Sequence, residues 1–177
     1  MSLLPIRVFG DPVLRERARP VERFDGALRR LAADMIQTMK EAPGVGLAAP
    51  QVGRALRLIV FDLGEEEDGS QALANPVLRD EWGEQVGEEG CLSVPGLYYP
   101  VRRYLRVQAE GYDLDGHEVS MEASELLSRI LQHEVDHLNG VLFIDRLEAE
   151  HRSEAMAALR DQALGLQPAV VHPSRTL

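Results

Sequence analysis

The sequence has 177 residues, which predicts one domain over residues 1–177, and its 45% hydrophobic and 27% charged residues are typical of a globular protein. The formal net charge of -10 argues against general affinity for nucleic acid or an anionic membrane, because both require a basic protein surface. No apolar run approaches the ~20 residues that cross a bilayer, the N-terminus has no signal-peptide pattern, and a single cysteine, Cys91, excludes an internal disulfide.

The first predicted element is a helix over residues 25–40. Apolar residues recur along it at helical spacing: Leu28, Leu31, Ala32, Met35, Ile36 and Met39. Asp25 is a suitable N-cap for this helix, and Pro43 with Gly44 ends it. A polar, glycine-rich segment over residues 44–53 follows, and we interpret it as a loop.

Four short runs rich in β-forming residues come next, and turns rather than helices separate them. They are predicted as strands over residues 56–63, 72–78, 105–112 and 117–122. Residues 113–116 are predicted to form a hairpin turn between the last two strands. Strands connected in this way favour antiparallel or mixed sheets and an α+β fold.

A second helix is predicted over residues 124–138, and Asn139-Gly140 ends it. Its apolar arc is broad, so we expect it to be the central, buried helix, with the sheets around it. A short strand over residues 141–144 and a C-terminal helix over residues 148–164 follow. From residue 165 onward the chain contains two prolines and is predicted to be an irregular tail.

His133, Glu134 and His137 form an HExxH motif on the second helix. Residues four positions apart lie on one face of a helix, so the two imidazoles can bind one metal ion between them. Glu134 lies close enough to act as general base on a water molecule that the metal activates. The alternative is a helix whose histidines and glutamate are merely solvated or hydrogen-bonded in the core.

A hydrolytic metal site usually has three protein ligands and one open position. Three side chains downstream of the motif could be the third ligand: Glu148, Glu150 and His151. The Asn139-Gly140 break and the predicted strand separate them from the motif. Upstream, Cys91 lies in a polar turn, and two histidines with one cysteine suit a borderline divalent metal. A buried, unreactive thiol is the alternative for a lone cysteine.

Three segments together resemble the signatures of the peptide deformylase family. Residues 44–51 match GxGxAAxQ, residues 89–93 match EGCxS, and residues 132–140 match QHExDHxxG, at every defined position and in the same order. Three matches in order are far more specific than any single one. The resemblance implies a cytoplasmic, metal-dependent hydrolase that removes the formyl group from the N-terminal formylmethionine of nascent polypeptides and releases formate.

The resemblance also implies a site. The metal ligands are Cys91, His133 and His137. The metal is most often Fe²⁺, and Zn²⁺, Ni²⁺ or Co²⁺ can occupy the same site. Glu134 is implied as general acid and base, while the side-chain amide of Gln51 and the backbone N–H of Leu92 stabilise the developing oxyanion. The implied substrate-binding glycines are Gly46 and Gly90.

Several neighbouring residues have two interpretations each. Three are candidates for the apolar walls of the methionine side-chain pocket: Val45, Tyr98 and Ile130. Each is equally well explained as an ordinary core residue. Glu89 is expected to pair with Arg102 or Arg103 and so to hold the Cys91 turn, and the sequence favours neither arginine. Asp136 either supports the metal ligands or is a charge on the helix surface.

The resemblance is weaker at two places. Residues 96–100 lack the basic residue with which many members of the family bind the peptide backbone. In some members the C-terminal helix docks on the ribosome, but here acidic and basic residues are mixed over residues 148–161. A transient ribosome contact therefore has little electrostatic support.

Two other functions compete with a deformylase. A zinc peptidase that cuts internal peptide bonds would not need Cys91. A related binding module that has lost its activity would not need Glu134 or Gln51, and the presence of both argues against it.

Overall fold

The computed structural model describes residues 2–62 and 69–166. Within these residues it contains three α-helices: α1 (Gly26–Glu41), α2 (Glu125–Leu138) and α3 (Ala149–Ala163). It also contains seven strands: β1 (Gly46–Ala48), β2 (Leu58–Phe61), β3 (Gln71–Trp82), β4 (Gln85–Cys91), β5 (Val94–Arg103), β6 (Arg106–Tyr112) and β7 (Glu118–Ser124). Short 3₁₀ turns connect some of these elements: Pro12–Arg15, Ala49–Val52 and Phe143–Arg146.

The strands form two antiparallel sheets. Five strands form one sheet in the order β1-β2-β3-β6-β7, and β4 pairs with β5 in a separate hairpin. The predicted α+β class is therefore confirmed. β1 is an edge strand, and no strand among the described residues pairs with its outer edge.

The five-stranded sheet packs against a helix on each face, as β2 illustrates. Leu58 and Val60 belong to a hydrophobic cluster with α1, whereas Ile59 and Phe61 belong to another cluster with α2. Successive side chains of a strand point to opposite faces, so a strand that is buried on both faces is apolar throughout. This explains why β2 has no polar residue.

α2 lies between the two sheets, and most of its residues are buried. On one side, Ile130 and Leu131 pack into the cluster formed with the five-stranded sheet. On the other side, Arg129 and His133 are hydrogen-bonded to Glu89 of β4. The helix that carries the HExxH motif is thus held on both sides, which makes it a rigid platform for a site.

The β4–β5 hairpin is not predicted by the sequence. Cys91, expected in a polar turn, is instead the last residue of β4 and is buried. The inward-facing residues of β4 before Cys91 are Gln85, Gly87 and Glu89, because side chains alternate along a strand. A face made of a glutamine, a glycine and a glutamate has no hydrophobic alternation, so the usual signal for a strand is missing.

Two other local predictions are wrong. Residues 141–144 do not form a strand; the chain enters the 3₁₀ turn Phe143–Arg146, where the Asp145 carboxylate accepts the N–H of Leu142 at 2.9 Å. A short run of buried apolar residues cannot distinguish a strand from a turn. The glycine-rich segment is not a plain loop, since it contains β1 and the 3₁₀ turn Ala49–Val52.

The three predicted helices and four predicted strands are present, with β3 longer than expected. Leu63, the end of one predicted strand, and residues 167–177 of the predicted tail lie outside the described residues. No helix within residues 2–62 and 69–166 is long and apolar enough to cross a membrane.

Candidate active site

Three potential metal ligands meet between β4 and α2. Cys91 comes from the end of β4, and His133 and His137 are one turn apart on α2. Their ligand atoms all lie within 4.8 Å of one another. Cys91 Sγ is 3.3 Å from His137 Nε2, which is 3.2 Å from His133 Nε2. All three side chains are buried.

A divalent metal fits this group. Tetrahedral coordination with usual metal–sulfur and metal–nitrogen lengths places the ligand atoms about 3.3–3.6 Å apart. The two observed separations, 3.3 and 3.2 Å, are close to this range. Burial lowers the pKa of His137 well below its ordinary value, which favours the neutral imidazole that a metal binds. Burial acts in the same direction on His133, but the contacts with Cys91 and Glu89 outweigh it and raise that pKa, so a metal would displace a proton from His133. The group does not include the alternative third ligands at the start of α3: Glu148, Glu150 and His151.

Glu134 is fully buried beside the ligands and faces β1. Neither oxygen of its carboxylate has a hydrogen-bond partner among the described residues. A β carbon on Gly46 would overlap this carboxylate, so the glycine allows β1 to approach α2 closely. Burial raises the pKa of Glu134 to about 7. A carboxylate with a pKa near neutrality is well suited to accept a proton and return it.

Gln51 reaches the same place from the 3₁₀ turn after β1. Its side chain is fully buried, and its Nε2 lies 3.6 Å from Cys91 Sγ and 3.2 Å from Ser93 Oγ. Leu92 directly follows Cys91 in the turn that joins β4 to β5. The proposed oxyanion donors therefore come from two different segments and lie beside the sulfur ligand.

Glu89 of β4 is hydrogen-bonded to His133, one of the three candidate metal ligands, and to two buried arginines. It accepts hydrogen bonds from His133 Nδ1 at 3.0 Å, from Arg103 at 2.9 and 3.0 Å, and from Arg129 at 2.7 Å. Because His133 donates through Nδ1, its Nε2 is free to face the other ligands. Burial alone would raise the pKa of Glu89, but the hydrogen bonds from His133 and Arg103 outweigh it and hold this pKa well below its ordinary value.

The structure resolves the choice between the two adjacent arginines. Arg103 is the buried partner of Glu89, whereas Arg102 points outward and pairs with the exposed Glu84 at 2.6 Å. Arg103 also donates to Asp136 at 2.6 Å, and Arg146 does so at 2.5 Å. Asp136 is buried, so it is part of the ion network behind the ligands rather than a charge on the helix surface.

Replacement of Glu89 by alanine should strongly destabilise the protein. It would leave two arginines buried without this carboxylate, and breaking a buried ion pair by removing one partner costs about 3–5 kcal/mol. Urea denaturation at equal metal loading measures this loss. Glu84→Ala is the matched control, because its pair with Arg102 is exposed and worth less than about 1 kcal/mol. Equal effects of the two substitutions would contradict this account of Glu89.

The predicted substrate-binding residues occupy positions around this group. Gly90 lies against the ring of Tyr98, which a β carbon at residue 90 would overlap. Val45 and Ile130 are both buried in the hydrophobic cluster between α2 and the five-stranded sheet. This position is compatible with pocket walls and with ordinary core residues, so their role in binding methionine stays a prediction.

Arg129 is a site residue that the sequence reasoning does not identify. It is buried, and its Nη1 donates to Glu89 at 2.7 Å and to the carbonyl oxygens of Gly87 and Val101 at 3.2 and 3.0 Å. These bonds tie α2 to both strands of the β4–β5 hairpin. The available signal is an arginine one turn before His133, on the same face of a helix that is predicted to be buried.

The chain is similar in sequence to known peptide deformylases. A sequence profile of the polypeptide deformylase family matches residues 3–153. The chain is 51% identical to the peptide deformylase of Acidothermus cellulolyticus over an alignment of 180 positions that covers 99% of this chain and 98% of that protein.

Solved structures agree with the sequence comparison. A peptide deformylase from Legionella pneumophila superposes with a TM-score of 0.86 at 40% identity, covering 94% of this chain and 100% of that one. The enzyme from Thermus thermophilus superposes with a TM-score of 0.85 at 45% identity, covering 93% and 97%. The chain therefore belongs to the peptide deformylase family, whose metal-dependent enzymes remove the N-formyl group from nascent polypeptides.

Proposed function

We propose that this protein is a single catalytic domain that removes the formyl group from the N-terminal formylmethionine of nascent polypeptides and releases formate. One observation carries the proposal. Cys91, His133 and His137 bring three ligand atoms within 4.8 Å of one another, next to the buried carboxylate of Glu134. This arrangement combines a metal site with a proton acceptor, which is what hydrolysis of an amide requires.

Cys91, His133 and His137 would hold the metal, which we propose to be Fe²⁺; the same donors also suit Zn²⁺, Ni²⁺ or Co²⁺. When bound, the metal lowers the pKa of a coordinated water and so supplies a nucleophile near neutral pH. Cys91 would be held as the thiolate. Its sulfur accepts the N–H of Ser93 at 3.4 Å.

The edge of β1 is the proposed binding site for the peptide. An extended chain can pair through main-chain hydrogen bonds with a strand edge that has no neighbouring strand. Gly46 begins this strand and lies against Glu134, so a peptide paired there would run next to the proton acceptor. The backbone of Gly90 would bind it from the side of β4. Val45, Tyr98 and Ile130 would line the pocket for the methionine side chain.

Glu134 and Gln51 have complementary roles in the proposed reaction. Glu134 accepts the proton of the attacking water and then passes it to the nitrogen of the leaving amine. The amide of Gln51 and the N–H of Leu92 donate to the oxygen of the formyl carbonyl as negative charge develops there. Gln51 can do this without adding a charge to the site, since its side chain is neutral.

Formate release from formyl-Met-Ala-Ser tests the proposal. Protein reconstituted anaerobically with Fe²⁺ or Ni²⁺ should release formate in proportion to its metal content, and a chelator should stop the reaction because the ligands alone supply no nucleophile. Acetyl-Met-Ala-Ser is the matched control, and the internal bonds of both peptides should stay intact. Metal-loaded protein that releases no formate would overturn the proposal, and cleavage of internal bonds would favour a peptidase.

The enzyme would act in the cytoplasm, where a cysteine outside any disulfide, such as Cys91, stays reduced. It would also make a transient contact with the ribosome through α3. On this helix Met156 is exposed while Ala155 and Leu159 are buried, so one side is available to a partner. Cosedimentation with ribosomes tests this contact, and absence of the protein from the ribosomal pellet at low salt would contradict it.

A further inference from the structure

The carboxamide of Gln51 has a defined orientation. Its Oε1 accepts the backbone N–H of Ala48 at 2.8 Å, and a backbone N–H can only donate. The oxygen therefore faces β1, and Nε2 must face the opposite side. Nε2 has two hydrogens, and only one of them is needed to stabilise a reacting carbonyl oxygen.

The two Nε2 hydrogens have different neighbours. Nε2 donates one hydrogen to Ser93 Oγ at 3.2 Å and the other to Cys91 Sγ at 3.6 Å. Ser93 is as fully buried as Gln51. One hydrogen is thus held by the serine hydroxyl, and the other points towards the ligand group.

We propose that Ser93 is a positioning residue for the oxyanion donor, an inference that rests on the proposed role of Gln51. The Ser93 hydroxyl binds one hydrogen of Nε2, and the oxygen of the formyl carbonyl replaces Cys91 Sγ as the acceptor of the other when the substrate binds. The last torsion of a glutamine has a broad preference by itself, so the bonds from Ala48 to Oε1 and from Nε2 to Ser93 together fix this carboxamide. Ser93 itself need not contact the substrate.

The main chain holds Ser93 in place independently of its side chain. The carbonyl oxygen of Ser93 accepts the N–H of Phe9 at 2.7 Å, and its own N–H donates to Cys91 Sγ at 3.4 Å. The N–H of Arg7 donates to the carbonyl oxygen of Gln51 at 2.7 Å. The N-terminal segment therefore binds both residues, and removal of the Ser93 hydroxyl should leave their spacing intact.

Ser93→Ala should lower kcat by about tenfold, which is less than the 10²–10³-fold typical for complete loss of an oxyanion donor. KM should stay within about twofold and the metal content unchanged, because neither depends on the orientation of the Gln51 amide. Ser93→Thr keeps the hydroxyl and should recover most of kcat. Ser93→Gly also removes the hydroxyl and replaces the alanine variant if that variant does not fold.

A double-mutant cycle with Gln51→Ala distinguishes positioning from a general structural effect. If Ser93 acts through Gln51, Ser93→Ala should have no further effect on kcat once Gln51 is alanine. Ser128→Ala is the matched control, since Ser128 is a buried serine whose hydroxyl accepts a glutamine amide, that of Gln132, at 2.9 Å. It should lower stability to a similar extent and leave kcat within about twofold, because it lies outside the oxyanion site.

Each result of the cycle has a definite meaning. An equal loss of kcat from Ser93→Ala in the wild-type and in the Gln51→Ala protein overturns the positioning role of Ser93. A Ser93→Ala variant of the wild-type protein with unchanged kcat overturns it too. A Gln51→Ala variant with unchanged kcat overturns the proposed role of Gln51 itself, and the inference with it. If Gln51→Ala is impaired and the two losses are not additive, both the role of Gln51 and the positioning by Ser93 are supported.

Discussion

Replacement of Cys91 by serine should abolish tight metal binding. Serine matches cysteine in size, but its hydroxyl stays protonated at neutral pH and cannot replace a thiolate ligand. Residues that only support ligands already contribute about 10–100-fold to metal affinity, so loss of a ligand should exceed that range. The metal bound per chain after anaerobic reconstitution and gel filtration measures the effect, and formate release should fall with it.

His151→Ala is the control for this prediction. His151 was one of the alternative third ligands, but it lies on α3 with its ring 5.5 Å from that of Tyr99, outside the ligand group. Its removal should leave the metal content unchanged. A Cys91→Ser variant that keeps a full equivalent of metal, or a His151→Ala variant that loses it, would show that the third ligand is assigned wrongly.

Replacement of Glu134 by glutamine should lower kcat by about 10²–10⁴-fold, the usual contribution of a general acid or base. The amide has nearly the same shape as the carboxylate but cannot accept the proton of the attacking water. Burial raises the pKa of Glu134 to about 7, so the wild-type group can exchange a proton near neutrality. Single-turnover formate release from protein of known metal content gives the comparison.

Glu150→Gln makes the same chemical change at an exposed position of α3 and should leave kcat unaffected. The prediction for Glu134 also requires that Glu134→Gln retains its metal, because Glu134 is not one of the ligands. A rate within tenfold of wild type at full metal content would exclude Glu134 as the proton acceptor. Loss of metal would instead assign this residue to the ligand set.

Local spacing explains which parts of the molecule the sequence predicts well. α1 follows from an apolar stripe at helical spacing and from Asp25, whose carboxylate accepts the N–H groups of Ala27 and Leu28 at the helix start. His133 and His137 are adjacent on α2 because residues four apart always share a face of a helix. Neither result depends on how distant segments pack.

The sequence does not predict the segments in which polar or charged residues are buried. Hydrophobic patterning does not predict β4, because its inward positions before Cys91 hold a glutamine, a glycine and the ionised Glu89. Gly87 lies against the guanidinium group of Arg129, and only the tertiary structure brings these two residues together. Arg129 on the buried face of α2 and Glu89 on β4 are explained only by the buried ion pair that they form with each other.

By itself the sequence determined the α+β class and the helix that carries the two histidines, because each depends on residue type and short spacing. Cys91 is far from His133 in the sequence, and only the resemblance of residues 89–93 to a family motif made it the expected third ligand. Only the tertiary structure decided which arginine supports the site. Arg102 and Arg103 are neighbours on β5, and consecutive side chains of a strand point to opposite faces. The register of β5 against β4 and its packing on α2 turn Arg103 inward to Glu89 and Asp136, and leave Arg102 at the surface with Glu84.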